Sequence, residues 1–213
     1  QRAEFAGVCG LKGDSDGRPI GTTFPGDALD ITTLERGDHG ISGDKAEVVY
    51  TDVMRAYPFP EFPGERFLPE AVVWDRIAHD GKRLRFFNEI VYTGDYIEDG
   101  LTRHFRQLLH ENPRGHALSL RQRHRFAGVP DRLAIGQCLM YFDDHQDDLS
   151  VREICRNLGV SRAQLRSWRL LRLLRRFSQQ EGVGKVAKSP PVPASVTVPP
   201  CTTTHASLVS VII

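Results

Sequence analysis

The run Phe59-Pro60-Glu61-Phe62-Pro63-Gly64-Glu65-Arg66-Phe67-Leu68-Pro69-Glu70 sets carboxylates and aromatic rings around a Gly/Pro turn, just ahead of the apolar stretch Ala71-Val72-Val73-Trp74. Glu65 follows a glycine, where the backbone lets another molecule approach closely, and Glu70 stands at the start of an expected helix. Either carboxylate could take the proton of a hydroxyl group as that group attacks, which is the work of a general base. Glu70 also has a structural account, since an acid in the first turn interacts favourably with the helix dipole. Trp74 offers a flat face on which the C–H groups of a sugar ring can pack, and equally a core anchor for its own helix.

Other polar clusters carry less chemistry. Asp14-Ser15-Asp16 has the spacing of a metal-binding Asp-x-Asp pair, but it runs into Gly17-Arg18-Pro19, a turn composition sufficient in itself. Asp143-Asp144-His145-Gln146-Asp147-Asp148 lacks the alternating ligands and the glycine of a calcium loop, and reads as a solvated connector. The eight histidines are scattered, and no two of them stand four residues apart as the paired histidines of helical zinc sites do. No metal site is expected in this chain.

The elements that must position these residues read as α/β. An apolar strand is expected at Phe5 to Leu11, then a turn at Asp14 to Gly17, a short strand at Pro19 to Gly21, and a loop to Gly43. A strand follows at Ala46 to Thr51. Leu68, Val72, Val73 and Ile77 recur at helical spacing, which predicts a helix over Pro69 to His79 stopped by Gly81. Phe86 to Tyr92 reads as a buried strand, Leu118 to Gln180 as helical, and the Pro/Ser/Thr/Val-rich stretch from Gly182 onward as disordered. No internal repeat is present.

The acceptor-like segment at 59–78, with Gly43-Asp44-Lys45-Ala46-Glu47-Val48 before it and Phe87-Asn88-Glu89-Ile90-Val91-Tyr92 and Tyr96-Ile97-Glu98-Asp99-Gly100-Leu101-Thr102 after it, resembles the second half of bacterial family 2 glycosyltransferases. The resemblance covers roughly residues 4 to 115. It implies a partial GT-A-like domain over 1–117, a basic helical extension over 118–181 and a disordered tail over 182–213. It further implies inverting transfer from a nucleotide-sugar donor to an envelope or polysaccharide acceptor, with Glu65 or Glu70 as catalytic base. Glu65 best matches the acidic position after the glycine. Lys45, Glu47, Trp74, Tyr96 and Asp99 are then the acceptor-binding candidates. Lys45 and Glu47 could equally be exposed strand residues, and Asp99 or Thr102 a helix cap. The family carries its donor pocket, with Mg or Mn on an Asp-x-Asp motif, in a preceding half of about a hundred residues. This chain is therefore expected to be a fragment, without a cofactor of its own and unable to bind the donor alone.

A different chemistry is legible further on. Ser150 to Trp168 follows the pattern of a helix-turn-helix, with Ile154, Leu158 and Leu165 as core, Gly159 at the turn and Ser161 capping the second helix. Arg162, Gln164 and Arg166 would then face a nucleic acid. The same helix continues as the stripe Leu165-Trp168-Leu171-Leu174 beside Arg166, Arg169, Arg172 and Arg175, which reads as a basic amphipathic helix for a membrane surface, over Leu165 to Phe177, or for packing on the domain.

Composition bounds these readings. With 213 residues, 26% charged and a formal net charge of +1, the chain can bury a sizeable core and carries no global basic excess for nucleic acid or membrane. Its four cysteines form no Cys-x-x-Cys pair, so reduced thiols and a cytoplasmic location are expected, and the resemblance together with the basic helix implies peripheral contact at the inner membrane face. No apolar run reaches the eighteen or so residues of a membrane span.

Overall fold

The computed structural model describes residues 2–94 and 104–182, with the backbone alone beyond residue 173. Tyr96, Asp99 and the expected disordered tail beyond Gly182, which itself ends the last helix, lie outside these residues. The described chain is mixed α/β. Strand β1 (Phe5–Gly13) is almost wholly buried, as its near-continuous apolar sequence demands, and it lies inside a four-stranded sheet. Strands β2 (Ala28–Ile31), β3 (Lys45–Val49) and β4 (Arg83–Thr93) complete the order β2-β4-β1-β3. β1 runs parallel to β4, while β3 and β2 are antiparallel to their neighbours β1 and β4. Gly7 is required where β1 meets β3, because a Cβ there would collide with the Val48 carbonyl.

Helices α1 (Thr51–Ala56) and α2 (Ala71–His79) follow β3. The helical period of 68–77 is realised in α2, and Gly81, at φ 81°, ends it by donating its N–H to the Ala78 carbonyl at 2.9 Å. Val73, Trp74 and Ile77 press against Ala6, Cys9, Leu84 and Phe86 of the sheet. Each such side chain contributes about 1.5–3 kcal/mol when fully buried, so this face fixes α2 firmly.

Three local expectations change. Thr51 opens α1 instead of ending a strand, because the Met54 N–H turns back to the Tyr50 carbonyl. The second strand expected at Pro19 reduces to one bridge with Gly13. The loop expected up to Gly43 contains β2 and a 3-10 turn at Thr33–Glu35. β2 is held through a cross-strand pair in which Arg85 Nε and Nη2 donate to the two oxygens of the Asp30 carboxylate, at 2.8 and 2.7 Å.

The second half is helical: α3 (Phe105–Glu111), α4 (Pro113–Phe126), α5 (Asp131–His145), α6 (Val151–Leu158) and α7 (Arg162–Gly182). Their core gathers Ala117, Leu139, Tyr141, Ile154, Leu158 and Leu165. Helix α4 runs unbroken through the expected boundary at residue 117. It packs on α2 of the sheet layer as well as on α5 and α6, so it joins the two cores.

Candidate functional site

Glu65 sits at the N-terminus of α4, where the first N–H groups of a helix have no intrahelical acceptor. Its Oε1 accepts from the Arg114 N–H at 2.8 Å and from Arg114 Nε at 3.1 Å, and its Oε2 accepts from the Gly115 N–H at 2.8 Å. The carboxylate is 7% exposed. Asn112 ties the same loop from the other side. Its Oδ1 accepts the N–H groups of Arg66 and Phe67 at 2.6 and 3.0 Å, and its Nδ2 donates to the Leu108 carbonyl at 2.7 Å. Arg114 also donates to the Pro63 carbonyl. The loop from Pro60 to Leu68 is thereby pinned against α4, and it borders an open cleft of about 600 Å³. Glu70 ends this loop as the residue before α2, half-buried, with its carbonyl accepting from Val73 and Trp74 at 2.8 and 3.2 Å.

One turn into α2 the chain meets a second cavity, of about 350 Å³, bordered by Arg36, Ser42, Gly43, Trp74, Asp75 and Arg123. Trp74 is 7% exposed, packs in the core and anchors the 3-10 turn, since Thr33 Oγ1 donates to its carbonyl at 3.2 Å. Its indole N–H has no acceptor among the described residues. Burial pushes the Asp75 carboxyl up to about 6, an effect the positive Arg123 partly offsets. Lys45 and Glu47 lie just behind this wall. Glu47 is 8% exposed and pairs with Arg36 at 3.6 Å, while Arg36 donates to the Gly43 carbonyl at 2.7 Å. Lys45, 3% exposed, donates to the carbonyls of Ser42 and Ile20 at 2.7 and 3.4 Å, and burial holds its ammonium below the usual lysine range. Neither is an ordinary exposed strand residue.

The structure thus brings Lys45, Glu47 and Trp74 to one neighbourhood around Arg36, and places Glu65 on a separate cleft. Sequence reasoning missed Arg36, Asp75 and Arg123. Asp75 is adjacent to Trp74 and could have been flagged as an acid inside an apolar helical run. Arg36 and Arg123 belong to distant segments, and nothing local marks them.

The expected turn at Asp14 forms as such, with Asp14 Oδ1 accepting from the Asp16 and Arg18 N–H groups at 3.0 and 2.8 Å. Among the described residues no group of three His, Cys, Asp or Glu side chains could hold a metal ion. The histidines do gather in space: His116 and His145 pack around Tyr141, with ring centroids 5.1 and 4.3 Å from it. Burial and the neighbouring His145 depress the His116 imidazole to about 4.

Ser150 to Trp168 folds as two helices joined by Gly159, Val160 and Ser161. Ser150 and Glu153 form a reciprocal capping box on α6, and Gly159 takes the left-handed conformation at φ 69°. Ser161 and Gln164 repeat the exchange on α7, at 2.9 and 3.1 Å. Helices α4 and α5 supply the partner faces this unit needs. Arg162, Gln164 and Arg166 are all exposed at the front of α7. Further along, Arg169 lies over the Phe142 ring at 4.3 Å and Arg172 forms a two-pronged pair with Asp143, so both are held on α5. Leu170, Leu171 and Leu173 are exposed. No helix among the described residues is long and apolar enough to cross a membrane.

No family model, curated protein or solved structure matches the chain.

Proposed function

We propose that residues 1–117 are the acceptor-side part of a family 2 glycosyltransferase, transferring a sugar from a nucleotide-sugar donor to an envelope or polysaccharide acceptor. The observation that carries this reading is the continuity of the resembling segment. Its loop borders an open cleft, ends at Glu70, and leads within one helical turn to Trp74 and Asp75 on a second cavity. Of the two candidate bases, Glu65 has both oxygens committed to Arg114 and to the start of α4, which suits a strut. Glu70, half-buried at the end of the loop and just ahead of α2, is assigned the proton transfer in this proposal on its position. On this reading the chain's own part is to bind the acceptor and accept its proton, while donor and divalent cation are held by a donor-side half of the family's kind. The test joins the chain to such a donor-side half and follows transfer from nucleotide sugars. Glu70→Gln should lower kcat by about a hundredfold with folding unchanged, the usual scale for losing a general base. Wild-type turnover in Glu70→Gln, with Glu65→Gln abolishing it, would reverse the assignment, and no transfer to any acceptor would sink the family reading.

A second reading rests on α6 and α7: a helix-turn-helix that contacts nucleic acid through Arg162 and Arg166. The joint exposure of these residues on a helix held by its own helical core favours it. Gln164 has its side-chain carbonyl engaged in the Ser161 cap, so fewer groups remain to read base edges. Fluorescence anisotropy with double-stranded DNA pools decides this. Binding to one sequence over scrambled competitor, lost in Arg162→Ala, would establish it, whereas weak salt-sensitive binding to all sequences reports only phosphate attraction.

A further inference from the structure

Helix α7 does not present the apolar stripe that its sequence suggests. Leu165 is buried and Trp168 packs on the helical core, so the first two members of the stripe Leu165-Trp168-Leu171-Leu174 serve the fold. Arg169 and Arg172 are drawn onto α5 by Phe142 and Asp143. The leucines between and beyond them are left outside: Leu170, Leu171 and Leu173 are 57, 51 and 49% exposed. Single exposed apolar residues are ordinary, but three within four residues form a patch of the kind that meets another surface. Met140, three residues before Asp143 on α5, is exposed as well and borders the same seam between the helices. The sequence continues the series with Leu174 and Phe177, four and seven positions beyond Leu170, in a helix that runs to Gly182.

Charge identifies the partner. Residues 162–176 carry six arginines and no carboxylate, and Asp143 balances one of them, Arg172. Arg162, Arg166, Leu170 and Leu173 follow one another at spacings of four, four and three, so exposed cations and exposed leucines share one side of the helix. A second copy docked through this side would bring the same arginines together, and like charges at close range oppose pairing. A nucleic acid would answer the arginines through its phosphates and leave the leucines without an apolar surface to cover them. An anionic bilayer offers both, phosphate-bearing headgroups at its surface and acyl chains a few ångströms deeper. We infer that α7 is an interfacial anchor that lies along an anionic membrane surface, with Leu170, Leu171 and Leu173 at the boundary of headgroups and acyl chains and Arg162 and Arg166 on lipid phosphates. The contact runs along the surface, since no helix among the described residues is long and apolar enough to cross a membrane. Arg169 and Arg172 clamp the helix on α5, so the anchor carries the helical half with it. The inference rests on neither functional reading: it adds a surface to the transferase, and it competes with the helix-turn-helix for Arg162 and Arg166.

The experiment floats the full chain through a density gradient with vesicles of phosphatidylcholine alone, or of phosphatidylcholine with about a third phosphatidylglycerol. Double-stranded DNA of mixed sequence is the competing polyanion, and size-exclusion chromatography reports self-association. The expected result is flotation with the anionic vesicles only, weakening as salt is raised. Arg162→Gln combined with Arg166→Gln should lower the partition coefficient by about twentyfold, because each basic side chain near such a surface is worth about fivefold. Leu170→Gln, Leu171→Gln and Leu173→Gln together should lower it by about tenfold or more and leave its salt dependence in place. Every one of these positions is exposed, so circular dichroism should show both variants folded as the parent. Flotation that ignores the leucine changes would mean adsorption by charge alone and would overturn the inference, as would equal flotation with neutral vesicles. Absence of flotation overturns it too: DNA retained through Arg162 and Arg166 would then give the helix to nucleic acid, and a dimer abolished by the leucine changes would give it to a second copy.

Discussion

Replacing Asp75 with Asn should make the protein more stable at neutral pH, although it removes a charge beside an arginine. The folded carboxyl titrates near 6 against an ordinary 3.8. Its stabilising contribution is the protonated one, fully present below 3.8 and lost as the pH rises through 6, so at pH 7 the ionised group weighs against folding. A rise from 3.8 to about 6 corresponds to about 3 kcal/mol, because each tenfold change in proton affinity is worth about 1.4 kcal/mol. That figure already includes the attraction of Arg123, and relaxation or water entering the cavity reduces it, so a gain of about 1–2 kcal/mol is expected of the amide. Urea denaturation of both proteins between about pH 4 and 7.5 measures it. The two curves should converge near pH 4 and separate progressively above about pH 5. Comparing the pair also cancels the histidines, which titrate in the same window in both proteins. A destabilised variant at pH 7, or a gain independent of pH, would refute the claim that Asp75 is a buried carboxylate without compensation.

Two further outcomes follow from the same structure. His116, depressed to about 4 from 6.5, should destabilise the helical half as the pH falls from 6.5 towards 4, by about 2–3 kcal/mol at the limit, and His116→Gln should flatten that slope in acid denaturation followed by helical circular dichroism. Glu65→Gln should cost about 1–2 kcal/mol by weakening the bonds to Arg114 and Gly115, so its midpoint in thermal denaturation should fall.

Periodicity and punctuation alone determined much of the framework. The buried run at 5–13, the turn at Asp14, the stop at Gly81 and the two caps at Ser150 and Ser161 are local facts, because each depends on residues within a few positions of one another, whereas the strand expected to be buried at Phe86 to Tyr92 forms within β4 but keeps only Phe86 of that stretch buried. Strand β2 escaped notice because four residues of mixed polarity become a strand only when Arg85, 55 positions away, grips Asp30. The site divided in the same way. Glu65, Glu70 and Trp74 could be named from a Gly/Pro turn running into an apolar helix, but their roles could not. Only the tertiary structure decided that Glu65 caps α4 from 49 positions away, that Lys45 and Glu47 are walled in, and that Asp75 shares a cavity with Arg36 and Arg123. Hydrogen-bond satisfaction and desolvation depend on which distant segments meet, and the order of residues along the chain does not contain that information locally.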